Sequence, residues 1–229
     1  MTAPDSAAHY DPLVQLAQPD HPDAEAEARA VAGRAIRDLG HAMVGRHSAI
    51  DLLAETATTI DALTARFDAG APRTHKEQAA REGRWDAAPA SCDEMRGHDE
   101  RPISGRSSPW GLDLHVRRDG DEAVASVTFR AAHEGAPGRS HGGIVAALFD
   151  DVLGFVLTIL EQPAYTGELT IRYEAGTPIG VPLECRCRLE RREGRKLYLT
   201  GELTDNGAVV ARTRGLFIAI DKERFMAGG

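Results

Sequence analysis

The sequence predicts an α+β fold in which an antiparallel sheet of about six strands rolls around one long central helix, with a helical hairpin in front of it. Residues 141–160 form an apolar run too long for a strand and apolar on nearly every side, so the resulting helix has to be wrapped rather than covered on one face. On both sides of it lie short segments alternating apolar and polar residues, the period of a half-buried strand. A chain of 229 residues with 42% hydrophobic residues is long enough for one such core plus an appendage.

The elements follow in order. Residues 1–22 are rich in Pro, Asp, Ala and His without periodicity and read as a flexible leader. Over 23–44, Val31, Ala35, Leu39 and Met43 recur at helical spacing and mark the face expected to pack. Ser48 with Asp51 three residues later resembles a capping box, opening a second helix whose stripe is Ile50, Leu53, Ala57, Ile60 and Phe67, ending near 68. This extension, 23–68, is expected to serve packing or oligomerisation rather than chemistry. Residues 69–108 mix Gly, Pro and charges with few apolar anchors and read as a linker or loop, with Trp85 docking on the main body and His75 and His98 solvated.

The main domain is expected over 109–221, with a tail at 222–229. Leu112, Leu114 and Val116 alternate with polar residues, a turn follows at 118–121, and Ala123, Ala125, Val127 and Phe129 complete a hairpin. Beyond the long helix, strands are predicted over 165–174, 182–191, 196–204 and 208–220, the last two joined by Asn206-Gly207, a strong hairpin-turn signal. Cys185 and Cys187 fall on the apolar face of one strand and read as buried thiols, while Cys92 stands alone; no further ligands make a zinc site of them.

Composition narrows the function. With 27 Lys+Arg against 35 Asp+Glu the net charge is −8, which opposes a phosphate-backbone footprint, so nucleic acid is not an expected partner. The longest apolar stretch, 144–160, is interrupted by Asp150 and Asp151, so no membrane span is expected. The first residues carry neither a basic region nor an apolar core of a signal peptide, and a cytoplasmic location is the expectation.

The chemistry concentrates in Gly138-Arg139-Ser140-His141-Gly142-Gly143 and the helix after it. Two glycines at the mouth of a buried helix let a ligand approach backbone N–H groups at the positive end of the helix dipole, which is an oxyanion site. Two turns deeper stand Asp150 and Asp151. Adjacent helical residues diverge by about 100°, so only one of them can line that site and the other should be structural.

The run GRSHGGIVAALFDD, followed by YTGELTIRY and NGAVVARTRG, resembles the PaaI-like acyl-CoA thioesterases of the hotdog superfamily over about half the chain. That resemblance implies hydrolysis of acyl-CoA thioesters, with no cofactor beyond the CoA of the substrate. It implies the N–H of Gly142 polarising the thioester carbonyl and Asp150, nine residues after His141, acting as general base or nucleophile. It further implies Thr166 holding the attacking water and a homodimer or homotetramer whose active site lies at the dimer interface. His141 is expected to fix the helix mouth or touch substrate. Gly143, Phe149 and Arg139 are the candidate substrate-binding residues. Leu148, Phe149 and Val152 either line the acyl path or, as the safer role for each, pack the core, and Arg139 and Arg172 either meet the CoA phosphates or, by default, are solvated surface charges. The loop before His-Gly-Gly lacks the amide side chain that some relatives carry, and Glu134 is the local substitute for it. No Gly-x-Ser-x-Gly elbow is present, and no His follows Asp150 before Glu161, as a hotdog hydratase would want. A non-catalytic acyl-CoA-binding hotdog module is the competing expectation.

Overall fold

The computed structural model describes residues 24–72 and 88–221. The expected leader, His75, Trp85 and the 222–229 tail lie outside the described residues. Two helices open the chain, α1 (Ala24–Gly45) and α2 (Ile50–Asp68). The main domain has β1 (Glu94–Met95), β2 (His115–Asp119), β3 (Glu122–Thr128), a 3₁₀ turn (Ala131–His133), a small ribbon of β4 (Glu134–Ala136) and β5 (Arg139–Ser140), α3 (Gly142–Ile159), and then β6 (Ala164–Tyr173), β7 (Pro182–Glu193), β8 (Lys196–Asp205) and β9 (Ala208–Ala219). The large sheet is antiparallel in the order β1-β2-β3-β7-β8-β9-β6, one strand more than expected because β1 adds to the edge of β2.

The wrapped helix forms as its composition demands. Val145, Leu148, Phe149, Val152, Leu153 and Val156 are fully enclosed against inward residues of the sheet such as Ala123, Cys185, Leu199 and Leu203. The helix is apolar enough to cross a bilayer by length and composition, and 61% of it is buried inside the domain. Cys185 and Cys187 lie side by side on that inner face, sulfurs 3.8 Å apart, and burial pushes the Cys187 thiol well above its ordinary range. Asn206 and Gly207 both take positive φ, 48° and 83°, as the two-residue turn between β8 and β9 requires.

The N-terminal helices differ from expectation in which faces they use. The face of α1 that docks is Ala30, Gly33, Arg37 and His41, whereas Val31, Leu39 and Met43 are exposed. Apolar spacing marked the wrong stripe because this contact is polar. Arg37 donates to the carbonyls of Arg106 and Ser108 and to the Asp113 carboxylate, and Gly33 passes so close to the Ser107 carbonyl that no side chain fits. The capping box does not form. The cap position of α2 is Ala49, so Ser48 falls one residue early, and Asp51 instead accepts the N–H of Leu52. No residue of α2 is buried, and Ile50, Leu53, Ile60 and Phe67 stay exposed within the single chain.

Of the stretch expected to be a linker, the described part from residue 88 packs on the domain. It supplies β1 and the buried residues Met95, Arg101 and Ser108.

Candidate active site

The mouth of α3 is built from backbone. His141 is the N-cap in extended conformation, and its Nδ1 accepts the Gly143 N–H at 3.0 Å, so the neutral ring carries its proton on Nε2. Its own N–H is held by the carbonyl of His133 at 2.8 Å. Between these two clamped amides stands Gly142. Among the described residues no acceptor takes up its N–H, which leaves a free donor at the helix N-terminus. The Tyr173 hydroxyl donates to the Gly142 carbonyl at 2.7 Å.

Asp150 and Asp151 separate as helix geometry requires. Asp150 is exposed, and the Thr166 hydroxyl donates to its Oδ1 at 2.9 Å. Thr166 lies on β6, an edge strand paired only with β9, just before a bulge where Gly167 is the extra residue between Thr166↔Phe217 and Glu168↔Leu216. Asp151 is buried at 7% exposure and takes Nε and Nη2 of Arg101 at 3.1 and 2.6 Å. The Arg101 guanidinium also lies 4.6 Å from the ring centre of Phe155. Sequence reasoning did not find Arg101. It is 50 residues upstream in a stretch without periodicity, and only the presence of a carboxylate on an apolar helix hinted that a cation must exist.

The other expected residues divide. Gly143 is exposed at the mouth, but its N–H is consumed by the cap. Arg139 is exposed on β5, its side chain lying along Gly176. Arg172 is exposed and paired with Glu174 at 3.1 Å. Phe149, Leu148 and Val152 have no exposure in the single chain and belong to the core cluster, the second of the two roles open to them, so they line no acyl path there. Glu134 accepts the Gly138 N–H and so ties down its own ribbon. A cavity of about 590 Å³ lies between α1 and β1–β2, bordered by Met95, Leu112, Val116 and Phe155; His141, Gly142, Asp150 and Thr166 are not among its walls. The candidate site is therefore an open face of the single chain.

An antiparallel sheet wrapped around one long helix is the hotdog fold, and here that helix carries a glycine-bearing mouth and an exposed acid two turns on. A solved thioesterase superfamily protein, RHA08564, superposes with a TM-score of 0.68 at 23% identity over 83% of this chain and 94% of its own. Residues 138–211, which contain the helix mouth, Asp150, Thr166 and Tyr173, match the model of the thioesterase superfamily. Among curated proteins, acyl-coenzyme A thioesterase THEM5 of Mus musculus is 30% identical over 39% of this chain and 37% of its own length. Acyl-coenzyme A thioesterase THEM4 of Bos taurus is 27% identical over 50% and 48%. The chain thus spans less than half the length of these curated relatives.

Proposed function

We propose that the protein hydrolyses acyl-CoA thioesters and that each active site is completed by a second copy of the chain. The observation that carries this reading is the disposition of Asp150 and Gly142. Both are accessible on one open face, yet they stand eight residues apart on one helix, about 12 Å along its axis. A carbonyl and the water attacking it must lie about 3 Å from their donor and base, so one protomer cannot serve both from the same helix. A twofold that brings α3 against its copy, with the bare edge of β6 alongside, puts the Gly142 N–H of one protomer opposite Asp150 of the other.

The chemistry follows from the groups. The carbonyl oxygen accepts the Gly142 N–H, which gains strength as negative charge develops there. Asp150, oriented by Thr166 through Oδ1, removes a proton from water whose oxygen bonds to the acyl carbon. The C–S bond then breaks, CoA leaves as a thiolate, and the proton held by Asp150 passes to that thiolate or to solvent, which restores the carboxylate. A thioester has little resonance stabilisation and a good leaving group, so one base and one donor suffice without a nucleophile triad.

The deciding experiment is free-thiol release across a panel of acyl-CoA thioesters with short, long and aromatic acyl groups. Asp150→Asn should lower kcat by about 10² or more, and Thr166→Ala by about 10-fold, with the fold intact by circular dichroism. Binding of acyl-CoA without thiol release would leave a binding module in place of an enzyme.

A further inference from the structure

We propose that Tyr173 is a positioning residue for the oxyanion donor, its phenol holding the Gly142 carbonyl so that the Gly142 N–H stays aimed at the reacting oxygen. The inference rests on the thioester reading of the same site. Gly142 and Gly143 are the first two residues of α3, where backbone restraint is weakest: glycine has the widest conformational freedom, and the first turn lacks the hydrogen bonds of the interior. A donor there is useful only if it is already in place when charge develops. His141 anchors the chain on either side of Gly142, through its own N–H and through Nδ1 on the Gly143 N–H. That Gly143 N–H is the far end of the planar peptide unit that carries the Gly142 carbonyl, whose oxygen, among the described residues, is otherwise held only by the intrahelical N–H four residues on. The Tyr173 hydroxyl supplies a third point at 2.7 Å. The contact also accounts for glycine at 142, since a Cβ there would sit 3.1 Å from the phenol oxygen.

Strand geometry shows why Tyr173 can reach. Thr166 and Tyr173 are seven residues apart, an odd number, and in a regular strand they would face opposite sides. The Gly167 bulge adds the one residue that restores phase. Thr166 is paired with Phe217 and Tyr173 with Ala211, both buried inner-face residues of β9, so both hydroxyls face α3. One strand therefore holds the base at one end and the donor at the other. Tyr173 is half-exposed, and among the described residues its hydroxyl makes this single hydrogen bond, so its polar group is not needed to satisfy the core.

The test compares Tyr173→Phe with the wild type, the ring kept and only the hydroxyl removed. In thiol release, kcat should fall about 10-fold with KM changed less than about 2-fold, since the donor acts mainly on the developing charge. The second readout is the carbonyl stretch of a bound dethia acyl-CoA analogue, sulfur replaced by methylene and the ketone carbon-13-labelled, carrying the acyl group the panel binds most tightly. The wild type should lower that frequency on binding, and Tyr173→Phe should recover part of the shift, while Thr166→Val, which touches the base alone, should leave it in place. Thermal melts of each variant confirm that folded protein is compared. Equal kcat and equal band positions in wild type and Tyr173→Phe, or no displacement of the band by the wild type, overturn the proposal. A wild type that releases no thiol while still shifting the band in a Tyr173-dependent way would instead reject the hydrolase reading and keep the positioning role.

Discussion

Two neighbouring carboxylates show how far one bond along a helix changes a residue's fate. Asp150 meets water and a threonine hydroxyl, while Asp151, turned about 100° away, is enclosed with Arg101. Ionised groups in an apolar interior are tolerated only as satisfied pairs, and removing one partner leaves the other charge stranded. Arg101→Met should therefore cost about 3–5 kcal/mol in urea unfolding. The double replacement Arg101→Met with Asp151→Leu should recover most of that loss, because no buried charge remains. Asp150→Asn, at an exposed position, should move stability by less than about 0.5 kcal/mol. A single Arg101→Met variant as stable as the wild type would show that Asp151 needs no cation. The sequence made legible that the two acids part company, since that follows from helical pitch; which cation serves the buried one depends on a loop fold that local pattern does not encode.

At the scale of elements, the contact between α1 and the 3₁₀ turn is a polar joint. His41 Nδ1 accepts the Ala132 N–H at 3.1 Å, His133 Nδ1 accepts the Arg130 N–H at 3.0 Å, and the two rings meet edge to face with centroids 4.5 Å apart. Both rings must be neutral to accept in this way, and the charges around them are mixed: Arg37 and Arg130 oppose a proton, while Asp38 and Asp113 favour one. Burial, followed by the neighbouring His41 and Arg130, pushes His133 down to about 4, and burial followed by Arg130 also lowers His41. Unfolded histidine takes up its proton near 6.5, so between about 6.5 and 4 the unfolded chain binds more protons. The stabilisation from neutral His133 is complete above that window, falls as pH drops through it, and amounts to at most about 3 kcal/mol. Protection factors over α1, corrected for the slower intrinsic exchange at low pH, should fall between pH 7 and pH 4.5 more than those in β8, and His133→Gln should flatten that difference. Unchanged α1 protection across the same range would remove the joint from the account. This joint was illegible beforehand for the reason α1 itself was misread: spacing rules score apolar residues, and here a histidine and an arginine do the docking.

For the whole molecule, the central helix and the six longest strands were legible because each has a period, and periods survive without tertiary context. The short β1, the packing of residues 88–108 and the exposed stripe of α2 were not, since none is set by local alternation. The candidate base and donor were legible only through a motif, and the proposal that two chains share a site rests on their separation along α3. Gly142→Pro deletes the donor: proline is favoured at the first helical position, and His141 already has the extended ψ of 135° that a following proline needs, while the half-exposed Tyr173 ring has to shift by a few tenths of an ångström to admit the new Cβ. Co-expressed with Asp150→Asn, each variant inactive alone, random pairing makes half the dimers mixed, and each mixed dimer keeps one intact site. About a quarter of wild-type turnover should return. No recovery in verified mixed dimers would place donor and base within a single protomer.

The bulge in β6 makes chain length itself a constraint on this face of the molecule. Because the hydroxyls at its two ends share a side only through one extra glycine, losing or gaining a single residue between them reverses one of the two, whereas a change of two preserves the match. Descendants of this sequence can thus lengthen or shorten that stretch in even steps while keeping both latches, and a lone insertion or deletion there unhooks one.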